Sequence, residues 1–96
     1  MSGPAIETVP ADYQKIMNGE LNDKLVDLTG DIEYIESVGE LYILKIKTQD
    51  GDYIAYTTKD VAGQFPREGD KRVKMYISPS YDENGELVIT IISFHK

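Results

Sequence analysis

A chain of 96 residues makes one small domain and is too short for two. It has no cysteine, so no disulfide, zinc site or thiol nucleophile is expected, and no apolar run of the roughly 18 residues that a spanning helix needs. The formal charge of −7 weighs against a nucleic-acid partner held by bulk electrostatics.

That charge is unevenly spread. Residues 1–40 carry nine acids and two bases, 41–80 five acids and seven bases, and 81–96 three acids and one base. A mildly basic island therefore sits in an acidic chain. The N-terminal "MSGPAIETVP" has neither a basic start nor a long apolar stretch, so it does not read as a secretory signal, and a cytoplasmic location is the default. Residues 1–10 read as a flexible leader.

In "ADYQKIMNG", Tyr13, Ile16 and Met17 fall at helical spacing with Gly19 as a stop. A short N-terminal helix is expected. From Lys24 the period becomes two. In "KLVDLTGDIEYIES", Val26, Leu28, Ile32 and Tyr34 share one face, and Gly30 occupies a position on that face where the strand can bend sharply. After a turn at Val38-Gly39 comes "ELYILKIKT", then the hairpin signal Asp50-Gly51, then "YIAYTTK".

"DVAGQFPREGD" breaks the alternation, with room for a helical turn near 60–63. Within it, Phe65 is expected to cap the barrel, Pro66 to stiffen the approach and Gly69 to reverse the chain. "KRVKMYISP" resumes with Val73, Met75 and Ile77 inward and Arg72, Lys74 and Tyr76 outward, and Pro79 is expected to end that strand. Asn84-Gly85 marks a turn, and "LVITIISF" reads as a final strand apolar on both faces, expected to be buried on one side and covered on the other. The expected architecture is all-β, a small five-stranded OB-like barrel with a short N-terminal helix over 11–96, with an SH3-like barrel as the rival.

Catalysis finds little to stand on. His95 is the sole histidine and sits beside the terminus, where a triad would be poorly held. Carboxylate pairs such as Asp31/Glu33 lie on alternating, water-facing positions. "DENGE" suggests calcium, but counting from Asp82 puts Leu87 and Ser93 where an EF-hand loop needs glycine and glutamate. No phosphate-binding glycine loop occurs. No catalytic residue, cofactor or metal is expected, and binding remains. OB barrels bind across strands two and three and the adjoining loops. That surface is expected to present Lys45, Lys47, Tyr53 and Lys59, joined by Arg72, Lys74 and Tyr76 on the fourth strand. Bases interleaved with tyrosines suit single-stranded nucleic acid, although lysines also keep strand edges soluble.

The run "GDIEYIES", "LYILKIKTQDGDYIAY" and "FPREGDKRVKMYISP" resembles the TOBE domains of ATP-binding subunits of ABC importers. That resemblance covers 25–80 and implies a regulatory or ligand-sensing module that often packs against a partner copy. The entry Gly69-Asp70-Lys71-Arg72-Val73 also resembles S1-like barrels, including bacterial translation initiation factor one. That family is rich in base while this chain is acidic, so RNA binding is not carried over. The reading reached is a non-enzymatic binding or regulatory module that senses a small ligand or contacts a protein partner. Single-stranded nucleic-acid binding is the alternative, disfavoured by net charge. The apolar last strand leaves pairing into a homodimer open.

Overall fold

A computed structural model describes residues 7–58 and 66–95. Lys59, the turn near 60–63 and Phe65 lie outside the described residues. β1 (Thr8–Pro10) runs parallel to the start of β2 (Leu25–Val38), from Thr8↔Leu25 to Pro10↔Asp27. The leader expected through Pro10 is therefore sheet from Thr8 onward. Val9 packs on the core, and the Ala11 N–H donates to the Asp27 carbonyl at 3.1 Å.

The helix α1 (Tyr13–Met17) starts where it does because the Asp12 side chain accepts the Lys15 N–H at 3.1 Å. It stops at Gly19, whose φ of +81° lets the next N–H, that of Glu20, reach back to the Lys15 carbonyl at 2.9 Å. Its buried face is Ile16, with the Tyr13 ring edge-on to Tyr53 at 5.2 Å. Met17, expected on that face, is exposed.

β2 is the backbone of the barrel. Residues 26–30 pair with β5 (Val73–Tyr81), and residues 31–38 with β3 (Leu41–Lys47). The handover falls at Gly30, as the sequence suggests. The alternation then slips at a bulge between Ile32 and Tyr34. Tyr34, expected inside, is exposed, and Ile35 packs on the core in its place.

β3 turns at Thr48 and Gly51 into β4 (Asp52–Thr58), and β5 turns at Asp82–Gly85 into β6 (Leu87–His95). The order is β1-β2-β3-β4-β6-β5, and β5 closes back onto β2. The short parallel contact of β4 with β6, at Ala55↔Ile89 and Tyr56↔Thr90, completes the ring. The described chain is a small all-β barrel of the OB type, five strands in its ring, with β1 as an added strand.

The inside is filled by alternating side chains: Val26, Leu28, Ile32, Leu44, Ile46, Tyr53, Ala55, Met75, Ile77, Ile89 and Ile91, with Ile16 at one end. Each buried aliphatic side chain is worth about 1.5–3 kcal/mol of transfer free energy. Thr57, the one buried polar residue among the described residues, donates its hydroxyl to the Ile91 carbonyl.

Two strand expectations need correction. Pro79 does not end β5, which continues to Tyr81. Its carbonyl faces the β2 side, where it accepts the Asp23 N–H at 2.8 Å. Its nitrogen faces that side too, beyond the last β2 pairing at Val26↔Ile77, so no ladder bond is lost. β6 is not covered on both faces. A bulge between the Tyr76↔Ser93 and Ile77↔Ile91 pairs leaves Ile92 extra and exposed.

The 66–70 segment is a structural strap, with Gly69 at φ +88° reversing the chain. Gly69 N–H donates to the Ile32 carbonyl, Ile32 N–H to the Asp70 carbonyl, and Ile35 N–H to Glu68 Oε1, all at 2.8–2.9 Å.

Candidate nucleic-acid interface

Closure of the sheet sends every second side chain outward. Four cross-strand rows result: Val38, Leu41 and Thr58; Glu36, Ile43 and Tyr56; Tyr34, Lys45 and Ile54; Asp31, Lys47 and Asp52. Tyr34, Val38, Leu41 and Ile54 are exposed, while Ile43 and Tyr56 are half-buried. An apolar and aromatic sheet face open to solvent is the surface feature that most needs a partner. Beside it runs a groove of about 460 Å³ between β4 and the β5–β6 turn, lined by Leu41, Tyr56, Thr58, Asp82, Glu86 and Val88 among others. That turn is rigid, because Asp82 Oδ1 accepts the N–H groups of Asn84 and Glu86 at 2.8 and 2.9 Å.

Lys45 sits in this face with its charge already tied. Its Nζ lies 3.2 Å from Glu33 Oε2 and 3.9 Å from Asp52 Oδ2. The hydrogen bond to Glu33, and then the nearby negative charges, raise its pKa against the opposing effect of desolvation.

Of the other expected residues, Lys47 shares the outward side of β3 with Lys45, between Asp31 and Asp52 in the next cross-strand row, and the rest do not join it. Tyr53 points into the barrel and is 2% exposed, because it pairs with inward Ile46 while Lys45 pairs with outward Ile54. Lysine and tyrosine there occupy opposite faces of the sheet. Arg72 is not on the strand: β5 begins at Val73, and Arg72 adopts a left-handed φ of +51° with its N–H on Asp31 Oδ1 at 3.0 Å. It lines, with Lys47, a separate cavity. Lys74 and Tyr76 lie on β5, which β2 and β6 separate from β3 and β4. Tyr76 meets the His95 ring edge-on at 4.2 Å. The basic residues are thus distributed around the barrel. The residues missed are Tyr34, Ile43, Ile54 and Tyr56. The alternation that puts Tyr53 inside carried the signal for Tyr56, whereas Tyr34 depends on the bulge.

Burial of the Tyr53 phenol pushes its pKa up to about 12 from 10.0, with the charges of Tyr13, Asp50 and Asp12 adding to it. A raised phenol pKa means that the fold favours the neutral form. This contribution to stability is complete below pH 10 and is lost as pH climbs through 12. Tyr53→Phe should therefore show a smaller loss of stability across that window, read from urea midpoints at several pH values. Parallel curves for the two proteins would refute it.

No family model and no curated protein matches the chain. Among solved structures, it superposes on asparaginyl-tRNA synthetase from Pyrococcus horikoshii with TM-score 0.66 and 25% identity, over 95% of this chain and 23% of that one. The same enzyme complexed with asparaginyl-adenylate gives the same TM-score and identity over 22% of its chain. A protein assigned as an aspartyl-tRNA synthetase from Leishmania major Friedlin matches at TM-score 0.65 and 13% identity, over 98% of this chain and 21% of that one. The likeness is to one segment of each synthetase. This chain spans less than a quarter of their length.

Proposed function

We propose that this chain is an OB-fold module that binds single-stranded RNA across the outer face of β3 and β4. The observation that carries the reading is the solvent-open row set around Tyr34, Lys45, Ile54, Ile43 and Tyr56, beside the groove at the β5–β6 turn. OB barrels use this surface, and exposed aromatic side chains there give bases something to stack on. The likeness to segments of enzymes that act on tRNA supports this over a TOBE-like module that senses a ligand or contacts a protein. Acidity does not weigh against this mode. It weighs against binding driven by phosphate contacts, and this face offers stacking, with Lys45 at its centre already paired with acids and Lys47 at its end flanked by Asp31 and Asp52.

The test is a titration of short labelled single-stranded RNAs at several salt concentrations. Saturable binding is expected with a shallow salt slope, no steeper than about −1.4 in log–log form, which corresponds to about two phosphate contacts. Absence of saturable binding at low salt would remove the reading. A steep slope would instead point to the scattered bases and away from this face.

A further inference from the structure

The barrel wall has a gap. On β2, the Asp27 carbonyl faces β1, where it accepts the Ala11 N–H, and Asp31 pairs with Lys47 of β3 on the same side. Between them no strand of the described residues covers this edge: β1 pairing ends at Asp27 and β3 pairing begins at Asp31. Strand alternation turns the N–H and C=O of Thr29 toward this same edge, while Val26, Leu28 and Gly30 present theirs to β5. The Thr29 peptide groups therefore open into a cavity of about 560 Å³. Its walls include Ala11, Leu28 and Tyr53, and Lys47, Arg72 and Asp50 also line it.

We infer that this gap binds a nucleoside monophosphate, with an edge of the base on the Thr29 backbone and the phosphate between Lys47 and Arg72. The volume lies within the roughly 300–1,000 Å³ usual for small-molecule sites. An adjacent donor and acceptor on one strand residue match a heterocycle edge that offers an acceptor beside a donor. The cations are available. Asp31, which also lines the cavity, is answered by the Arg72 N–H at 3.0 Å and by Lys71 Nζ at 3.7 Å. Neither Lys47 nor the Arg72 guanidinium makes an ion pair among the described residues. The left-handed backbone of Arg72, fixed through Asp31, sets where its side chain leaves the chain. Asp50 on the same lining favours a ligand with one phosphate over a more highly charged one.

This assignment does not rest on the strand-binding reading of the outer face, which lies across β3 and β4. The test follows amide signals of isotope-labelled protein during titration with AMP, adenosine and inorganic phosphate. AMP should give saturable shifts at Thr29, Gly30, Thr48 and Gln49. Adenosine should bind about tenfold more weakly, and Lys47→Gln/Arg72→Gln should weaken AMP to the same degree, because each removes charge-assisted hydrogen bonds. No saturable shift at Thr29 would overturn the assignment. So would equal AMP affinity in the double variant, or inorganic phosphate reproducing the whole pattern, which would leave a mere anion site. A single-stranded RNA tetramer in the same experiment separates the sources. Shifts at Thr29 mean that the nucleotide is delivered by a strand, and shifts confined to the outer face leave free nucleotide as the occupant. Loss of all tetramer binding with AMP binding kept would sink the outer-face reading alone.

Discussion

Gly30→Ala is expected to destabilise the fold by roughly 1–3 kcal/mol, near the top of that range, through overpacking. A Cβ at Gly30 would lie 2.5 Å from Ile46 Cγ2, 3.1 Å from the Lys47 carbonyl oxygen and 3.2 Å from Thr48 Cγ2. The first of these belongs to a fully buried side chain and the second to backbone, so neither can swing away. The backbone of Gly30 is not left-handed, so lack of room is the whole reason for glycine. β3 must come close here because β2 is passing from β5 to β3. Urea unfolding measures the cost, and a double-mutant cycle identifies its origin. Ile46→Ala alone should cost about 2–5 kcal/mol by leaving a cavity. Combined with Gly30→Ala it should cost clearly less than the two effects added, since the new methyl enters the space vacated. Strict additivity would mean that the two groups never meet.

Gly30 was legible because it interrupts a long alternating run at a position that its neighbours place inside. The hairpins were legible for a similar reason. Asp50-Gly51 and Asn84-Gly85 are local instructions whose consequences stay local. What the chain did not announce was each place where a distant partner resets the alternation. Glu33 and Ile92 look like ordinary strand residues, yet each sits at a bulge that changes which side chains face out. Pro79 reads as a terminator, and only the end of β2 pairing shows that its missing N–H costs nothing. Arg72 reads as the first residue of a strand. The carboxylate that holds it out of the strand is Asp31, far earlier in the chain. The site inherited these errors. A basic face assembled from alternation alone merged β3, β4 and β5, which closure of the barrel distributes around its circumference.

Tyr34→Ala and Tyr56→Ala should each weaken single-stranded RNA binding by about 1–3 kcal/mol, the usual worth of one base stacked on an aromatic ring. Tyr34→Phe should keep most of the affinity, because the ring is retained. Lys45→Ala should change binding by less than about 1 kcal/mol, since its ammonium already faces Glu33 and Asp52 and has little charge to spare for a phosphate. Lys74→Ala, on the far wall, should have no effect. Fluorescence anisotropy at one fixed salt concentration ranks the five variants, and the ranking matters more than any single value. Large effects at Lys45 and Lys74 with none at the tyrosines would mean that charge drives binding and that stacking on the outer face of β3 and β4 does not. Large effects at the tyrosines alone would explain how a chain of net charge −7 can hold a polyanion. Contact is then made through the faces of the bases, the part of a nucleic acid that carries no charge.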